Sequence, residues 1–296
     1  MGNKTAVLAL VLALAALGIV VFRPAFGPGA GQSQKEAAFE RVMRTRTLRC
    51  AYASWPPYFM INPNTKAMSG INHDIMEAIG KAANLKIEWL EEAGYGQFPD
   101  NLRSGKQDAF CSGVRLSTAR AQRVELSTAV AYAPLYAYVR DDDARFDGKL
   151  DVLNDEKASI AVVDGSTIEA VAKTTFPKAQ LYSLPQMSDE AQVLDAVAAH
   201  KADVVFTEAA DIVYYNKNNA AKKLRRVAAV PPLRTLAAVF AVAKGEWELR
   251  DLLNAAIHEL QGDGAIGRLL VKYEVEPGTI YPVASPYANP AKQGGL

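Results

Sequence analysis

The stretch "DAFCSGVRLSTARAQRVELS", residues 108–127, decides how this chain is read. Its first half, Asp108 to Val114, is an apolar run of strand length, and its second half is charged and compatible with a helix. Small residues, Ser112 and Gly113, stand at the junction, and two arginines, Arg115 and Arg120, lie just beyond it. Ser117 is placed to cap the helix, which puts Arg120 in its first turn. The helix macrodipole disfavours a cation there. Such a guanidinium is either solvated surface or a grip for an anion, because it meets a carboxylate through two parallel hydrogen bonds.

The design of strand, small-residue turn and helix recurs twice. "VVDGSTIEA", 162–170, puts Ser166 and Thr167 at a helix start, and "VVFTEAAD", 204–211, does the same with Glu208. In open α/β sheets these junctions collect ligands, since helix N-termini expose unpaired N–H groups beyond the strand ends. Ser166 and Thr167 serve equally as plain caps or as carboxylate contacts. Glu208 serves as a favourable capping acid or as the acceptor for a ligand ammonium. In "ASWPPYFMI", 53–61, Trp55 and Tyr58 follow the first strand in a turn restricted by two prolines. Aromatic rings at such a place pack on a ligand or on the core.

Around these junctions, "LRCAYA" and "KIEWLE" read as strands, and Ile71, Ile75, Ile79 and Ala83 recur every four residues as one face of a helix capped by Asn72 or Asp74. After Arg140, "DDDARFDGK" interrupts the periodicity and a second set of strands and helices follows, closed by "LAAVFAVAKG" as a strand and "ELRDLLNAAIHELQGDG" as a helix stopped by Gly262 and Gly264. The alternation predicts an α/β architecture with largely parallel sheets. A length of 296 residues suggests about two domains. The tail after Glu276, rich in Pro, Ala and Gly, is expected to be extended or mobile.

Lysine plus arginine (33) nearly balances aspartate plus glutamate (32), so a net charge of +1 gives no support to a nucleic-acid groove. Two cysteines and three scattered histidines lack metal-ligand spacing, so no metal site is expected, and no cofactor is expected either. Cys50 and Cys111 sit inside apolar runs and are either buried thiols or one disulfide. Lys4 precedes an unbroken apolar run from Ala6 to Phe22, between the length of a signal-peptide core and that of a spanning helix, and both readings export the rest of the chain. The cleavage site at Ala25 and Gly27 is followed by Pro28 and is poor, so an uncleaved anchor is expected, with residues 24–34 as a flexible linker.

Together these segments resemble an extracytoplasmic solute-binding protein of the type II periplasmic-binding fold, in the polar-amino-acid branch known as family 3. The likeness runs over about residues 40 to 275 and is carried by "TLRCAYASWPPYF", "MSGINHDIMEAIGKAANLKIEWLE", "NLRSGKQDAFCSGVRLSTARAQRVELSTAVAY" and "DLLNAAIHELQGDGAIGRLLVKY". It implies two lobes, each a mostly parallel sheet flanked by helices, with a ligand held in the cleft between them. The first lobe would take residues 35–138 and 240–296, and the second 139–239. By position, Arg120 matches the arginine that pairs with a ligand's α-carboxylate, Ser112 and Gly113 the strand end lining the site, and Trp55 the stacking aromatic. Ser166 and Thr167 match the second lobe's turn, and Glu208 the acid for the α-ammonium.

Three departures bear on the ligand. Arg115 stands where the family usually has serine or threonine; pointing inward, it would favour a dicarboxylate or acidic amino acid. Tyr52 stands where the branch binding cationic amino acids carries an acid. Glu208 is one methylene longer than the usual aspartate. The resemblance implies a non-catalytic receptor for an amino acid or related carboxylate, with an ABC permease or other inner-membrane complex as partner. A sensing subunit without transport, or a cyclohexadienyl-dehydratase-like enzyme with Glu208 as general acid, are the alternatives.

Overall fold

The computed structural model describes residues 36–185, 188–221, 223–274 and 276–284. The apolar run 6–22 and the linker 24–34 lie outside these; among the described residues no helix is long and apolar enough to cross a membrane. In chain order the elements are α1 (Ala38–Thr45), β1 (Thr47–Tyr52), β2 (Met60–Ile61), β3 (Met68–Ser69), α2 (Ile71–Ala82), β4 (Lys86–Glu92), α3 (Phe98–Ser104), β5 (Ala109–Arg115), α4 (Thr118–Ala121) and β6 (Val124–Leu126). After β7 (Ala131–Arg140) come β8 (Ser159–Val163), α5 (Thr167–Thr175), β9 (Gln180–Leu184), α6 (Glu190–Ala198), β10 (Val204–Glu208), α7 (Ala209–Asn218) and β11 (Leu224–Arg226). The chain returns through β12 (Arg234–Ala243) to α8 (Trp247–Gly262) and α9 (Ala265–Tyr273).

Apart from the β2–β3 hairpin, these strands form one sheet, in the order β4-β1-β5-β12-β7-β10-β8-β9, with β6 on β12 and β11 on β7. The wing of β4, β1 and β5 is parallel, and so is the wing of β10, β8 and β9. Between them β12 and β7 pair antiparallel with each other and with the wing beside each. A sheet per lobe is thus refined to a single sheet with two parallel wings. The physical reason is strand length: β7 and β12 are ten residues each, about 33 Å at the usual rise, enough to run from one wing into the other without losing their ladder.

Each wing is covered on both faces. Ile75, Met76 and Ile79 of α2 pack with Leu253 and Ile257 of α8 on one side of the first wing, and Phe98, Leu102 and Phe110 fill the other. In the second wing Val162, Phe176 and Phe206 form one layer and Val193, Leu194 and Ile212 the opposite one. The period-four pattern read for α2 holds, but its cap does not. The helix starts after Gly70 with no side-chain cap; Asn72 is inside it, buried, and donates its amide to the Ser112 carbonyl. Gly113, at φ 84°, is required by the same contact, because a Cβ there would lie 2.5 Å from the Asn72 amide nitrogen.

Of the two readings of the cysteines, the disulfide is the one realised: Cys50 on β1 is bonded to Cys111 on β5, with Cα atoms 5.5 Å apart. Of the tail, residues 276–284 are described, and there Tyr281 and Tyr132 exchange backbone hydrogen bonds of 2.7 and 2.8 Å. The disulfide closes a loop of 61 residues, for which chain entropy alone gives about 4 kcal/mol of stabilisation. A Cys50→Ala/Cys111→Ala variant is therefore expected to unfold at clearly lower urea concentration with little change in secondary structure, read by circular dichroism; an unchanged midpoint would show that the crosslink adds nothing.

Candidate functional site

Side chains from both wings meet where β5 and β10 end. Arg115, the last residue of β5, reaches across to Glu208, the last residue of β10 and the residue preceding α7. Its Nε and Nη2 donate to the two carboxylate oxygens at 2.5 Å each. The pair is 6% and 3% exposed, so neither charge is satisfied by water. The Tyr58 hydroxyl donates to the same carboxylate. The guanidinium carbon lies 4.7 Å from the Tyr58 ring centre and 5.0 Å from that of Trp55, which adds cation–π attraction to the ion pair. Burial alone would depress the pKa of Arg115; the Glu208 carboxylate more than reverses this and leaves it raised. Burial, and then the Glu208 charge, push the Tyr58 phenol far up, so it stays a donor.

Arg115 therefore does point between the wings, but its charge is met by Glu208. Arg115 thus brings no free charge that would favour a dicarboxylate or acidic amino acid, and Glu208 has protein donors in place of a ligand ammonium.

Asp211, one turn into α7, makes the next link. It accepts the Trp55 indole N–H at 2.8 Å, the Thr207 hydroxyl at 2.6 Å and the Glu208 backbone N–H at 3.3 Å. The Thr207 hydroxyl also lies 2.8 Å from Glu190 Oε1. One hydroxyl has one proton, so it cannot donate to both carboxyls. Asp211 has other N–H donors, so the arrangement that satisfies every atom has Glu190 protonated and donating to Thr207, which donates to Asp211. Burial, then the charge of Asp211, push Glu190 up to about 8. Asp211 is raised to about 6 by burial and by Glu208.

Arg120 lies in the first turn after Ser117, as read from the sequence, but α4 is that single turn of four residues, so the macrodipole argument has little force here. Ser117 does cap it, accepting the Arg120 N–H at 3.3 Å. The half-buried guanidinium donates to the Arg115 carbonyl at 2.7 Å and reaches Thr167 Oγ1 at 3.4 Å, on the start of α5. Among the described residues it has no carboxylate partner. Burial lowers its pKa and the Arg115 charge lowers it further. Ser166 is the cap of α5, accepting the Glu169 N–H at 3.0 Å. Ser112 holds the loop after β1 by accepting the Ala53 N–H at 2.9 Å. Tyr52 stacks on Phe59 at 4.6 Å, within an aromatic cluster.

The structure adds Tyr95, Thr207, Asp211 and Glu190 to the residues singled out from sequence. Asp211 stands three after Glu208, the capping-box spacing, and was legible in "TEAAD"; Tyr95 is flanked by Gly94 and Gly96. Tyr95 packs edge-on against Trp55 at 5.7 Å and lies in the fields of Arg115 and Arg120. Although Ser112 is close, no hydrogen bond of acceptable geometry reaches the buried Tyr95 hydroxyl.

The acid chain has a consequence for stability. Folded Glu190 keeps its proton to higher pH than an unfolded glutamate, whose value is 4.5, so its stabilisation is full below that value and is lost as pH rises towards about 8. The chain is expected to lose stability between pH 5 and pH 8, and Glu190→Gln to flatten that slope in denaturant melts; equal slopes would remove the proton from Glu190.

The chain is 27% identical over 228 residues to an L-arginine-binding protein of Pseudomonas aeruginosa, covering 75% of this chain and 85% of that one. It is 26% identical over 259 residues to a probable histidine-binding protein of Neisseria gonorrhoeae, covering 84% and 90%. The crystal structure of an ancestral amino-acid-binding protein, a precursor of cyclohexadienyl dehydratase, superimposes with a TM-score of 0.68 at 24% identity, over 80% of this chain and 99% of that one, and shows the type II periplasmic-binding fold. Residues 48–276 match the bacterial extracellular solute-binding proteins, family 3, and the chain belongs to that family.

Proposed function

We propose that this chain is a non-catalytic receptor that binds a small carboxylate-bearing solute, an amino acid or related carboxylate, between a lobe of residues 35–138 and 240–296 and a lobe of residues 139–239. The observation that carries this is Arg120, a half-buried guanidinium without a carboxylate partner among the described residues, reaching from the first wing to Thr167 of the second. The Tyr95 hydroxyl, buried and unpaired, adds a second donor in its field. A guanidinium and a phenol together form a donor set that suits a carboxylate. The arginine- and histidine-binding relatives support a solute of this class.

A solute held by Arg120 and by the start of α5 contacts both wings at once, and only such contacts favour the closed arrangement over an open one. Closure is then the signal passed on, to an ABC permease at the inner membrane beside which the apolar segment 6–22 holds the protein. Glu208 argues against the dehydratase-like reading, because both of its carboxylate oxygens are taken up by donors of the protein, Arg115 and Tyr58, and neither faces a solute as a general acid would have to.

Thermal-shift screening of the full chain against amino acids and simple carboxylates is expected to find a solute that raises the melting midpoint. A ligand at a hundred times its Kd adds about 2.7 kcal/mol. Arg120→Ala removes a charge-assisted hydrogen-bond pair, so the same solute should bind roughly 10- to 100-fold more weakly and the shift should nearly vanish. A full shift in the variant would take Arg120 out of the site.

A further inference from the structure

We propose that the guanidinium of Arg115 is a tethered ligand: it fills the cation slot made by Trp55, Tyr58 and Glu208, so the solute held at Arg120 is a carboxylate that carries no ammonium group. The slot has the features that recognise a free cation. It offers two aromatic faces at 4.7 and 5.0 Å from the guanidinium carbon and a buried carboxylate opposite. Its occupant comes from the first wing and its acid from the second, so the chain's own side chain makes the bridge that a solute's cationic group would make.

The remaining polar atoms agree. An ammonium brings three donors and needs acceptors. Glu208 is engaged by Arg115 and Tyr58. Asp211 is engaged by the Trp55 indole, the Thr207 hydroxyl and a backbone N–H. Around the Arg115–Glu208 pair, the Arg120 guanidinium and the Tyr95 hydroxyl keep donor capacity. A carboxylate meets both, whereas an α-ammonium beside it would face the unpaired Arg120 guanidinium and acids that already accept three protein donors each. The solute-class half of this inference rests on the carboxylate reading above; the tethered-cation half does not.

Two arms test the halves separately. In the first, the full-length Arg115→Ala variant is expected to melt on the order of 10 °C lower, because Glu208 is left buried and unpaired. Millimolar ethylguanidinium should restore the midpoint saturably, beyond ethylammonium or potassium chloride at equal ionic strength, and leave the parent chain unmoved. Arg115→Gln, which keeps most of the length without the charge, is read the same way if the alanine variant does not fold, and adding Glu208→Gln should abolish the rescue. The absence of any guanidinium-specific rescue would overturn the tethered cation.

In the second arm the parent chain is titrated with matched pairs, glutarate against glutamate and propionate against alanine. The acid lacking the amine should bind at least tenfold tighter in a pair that binds, and Arg115→Ala should gain affinity for free L-arginine. Tighter binding of the amino acid would overturn the solute class while leaving the carboxylate reading intact. If neither member of any pair binds, the carboxylate reading and the solute class fall together, and the first arm still decides the tethered cation.

Discussion

The ion pair between Arg115 and Glu208 is the constraint on which the arrangement of the two wings depends. Removing both charges from water costs several kcal/mol per ion, and the attraction between them repays this only with good geometry and further hydrogen bonds. Those conditions are met here: the guanidinium binds both carboxylate oxygens, and Tyr58 adds a third donor. Such a pair adds little net stability over an apolar filling of the same shape, but loss of one partner costs about 3–5 kcal/mol because the other charge is stranded. It therefore acts as a specificity device, penalising any arrangement of the wings in which the two strand ends are buried apart.

The backbone delivers both ends of the pair. β5 ends at Arg115 and β10 ends at Glu208, each on the central side of its parallel wing. β12 and β7, antiparallel and ten residues long, join the wings in one sheet, so the separation of the two strand ends is limited by a hydrogen-bonded ladder. The Cys50–Cys111 disulfide fixes β5 to β1 four residues before Arg115, and Ser112 fixes the loop that carries Trp55 and Tyr58 to the same strand. The aromatic walls and the guanidinium between them are thus supported by one strand.

Much of the fold was legible because it rests on local signals. The apolar runs of β1, β5, β8 and β10 and the period-four face of α2 depend on residues adjacent in sequence, and the helix caps at Ser117 and Ser166 were readable from residue type. The site was less legible, because its central contact joins residues 93 apart. At Arg115 and Glu208 the sequence shows two candidate ligand contacts; that each is the other's partner depends on how the wings meet. Gly113 looked like a ligand-facing strand end, while its φ of 84° and the Asn72 contact give it a packing reason. Arg120 was singled out by a helix-dipole argument that a four-residue turn does not support. Its environment, without a carboxylate partner among the described residues, is visible only in three dimensions.

Two arginines five positions apart thus end in opposite electrostatic states. Arg115 is raised by a carboxylate in contact, and its charge is neutralised within the protein. Arg120 is lowered by burial and by the like charge of Arg115. A cation held at unfavourable potential gains most from an incoming anion, because the anion relieves both the desolvation and the repulsion from its neighbour. An incoming cation meets the reverse: the acids on the second wing already have donors, and the unpaired Arg120 guanidinium repels it. The charge of the cleft is therefore set less by how many arginines and acids line it than by which of them the chain has already paired.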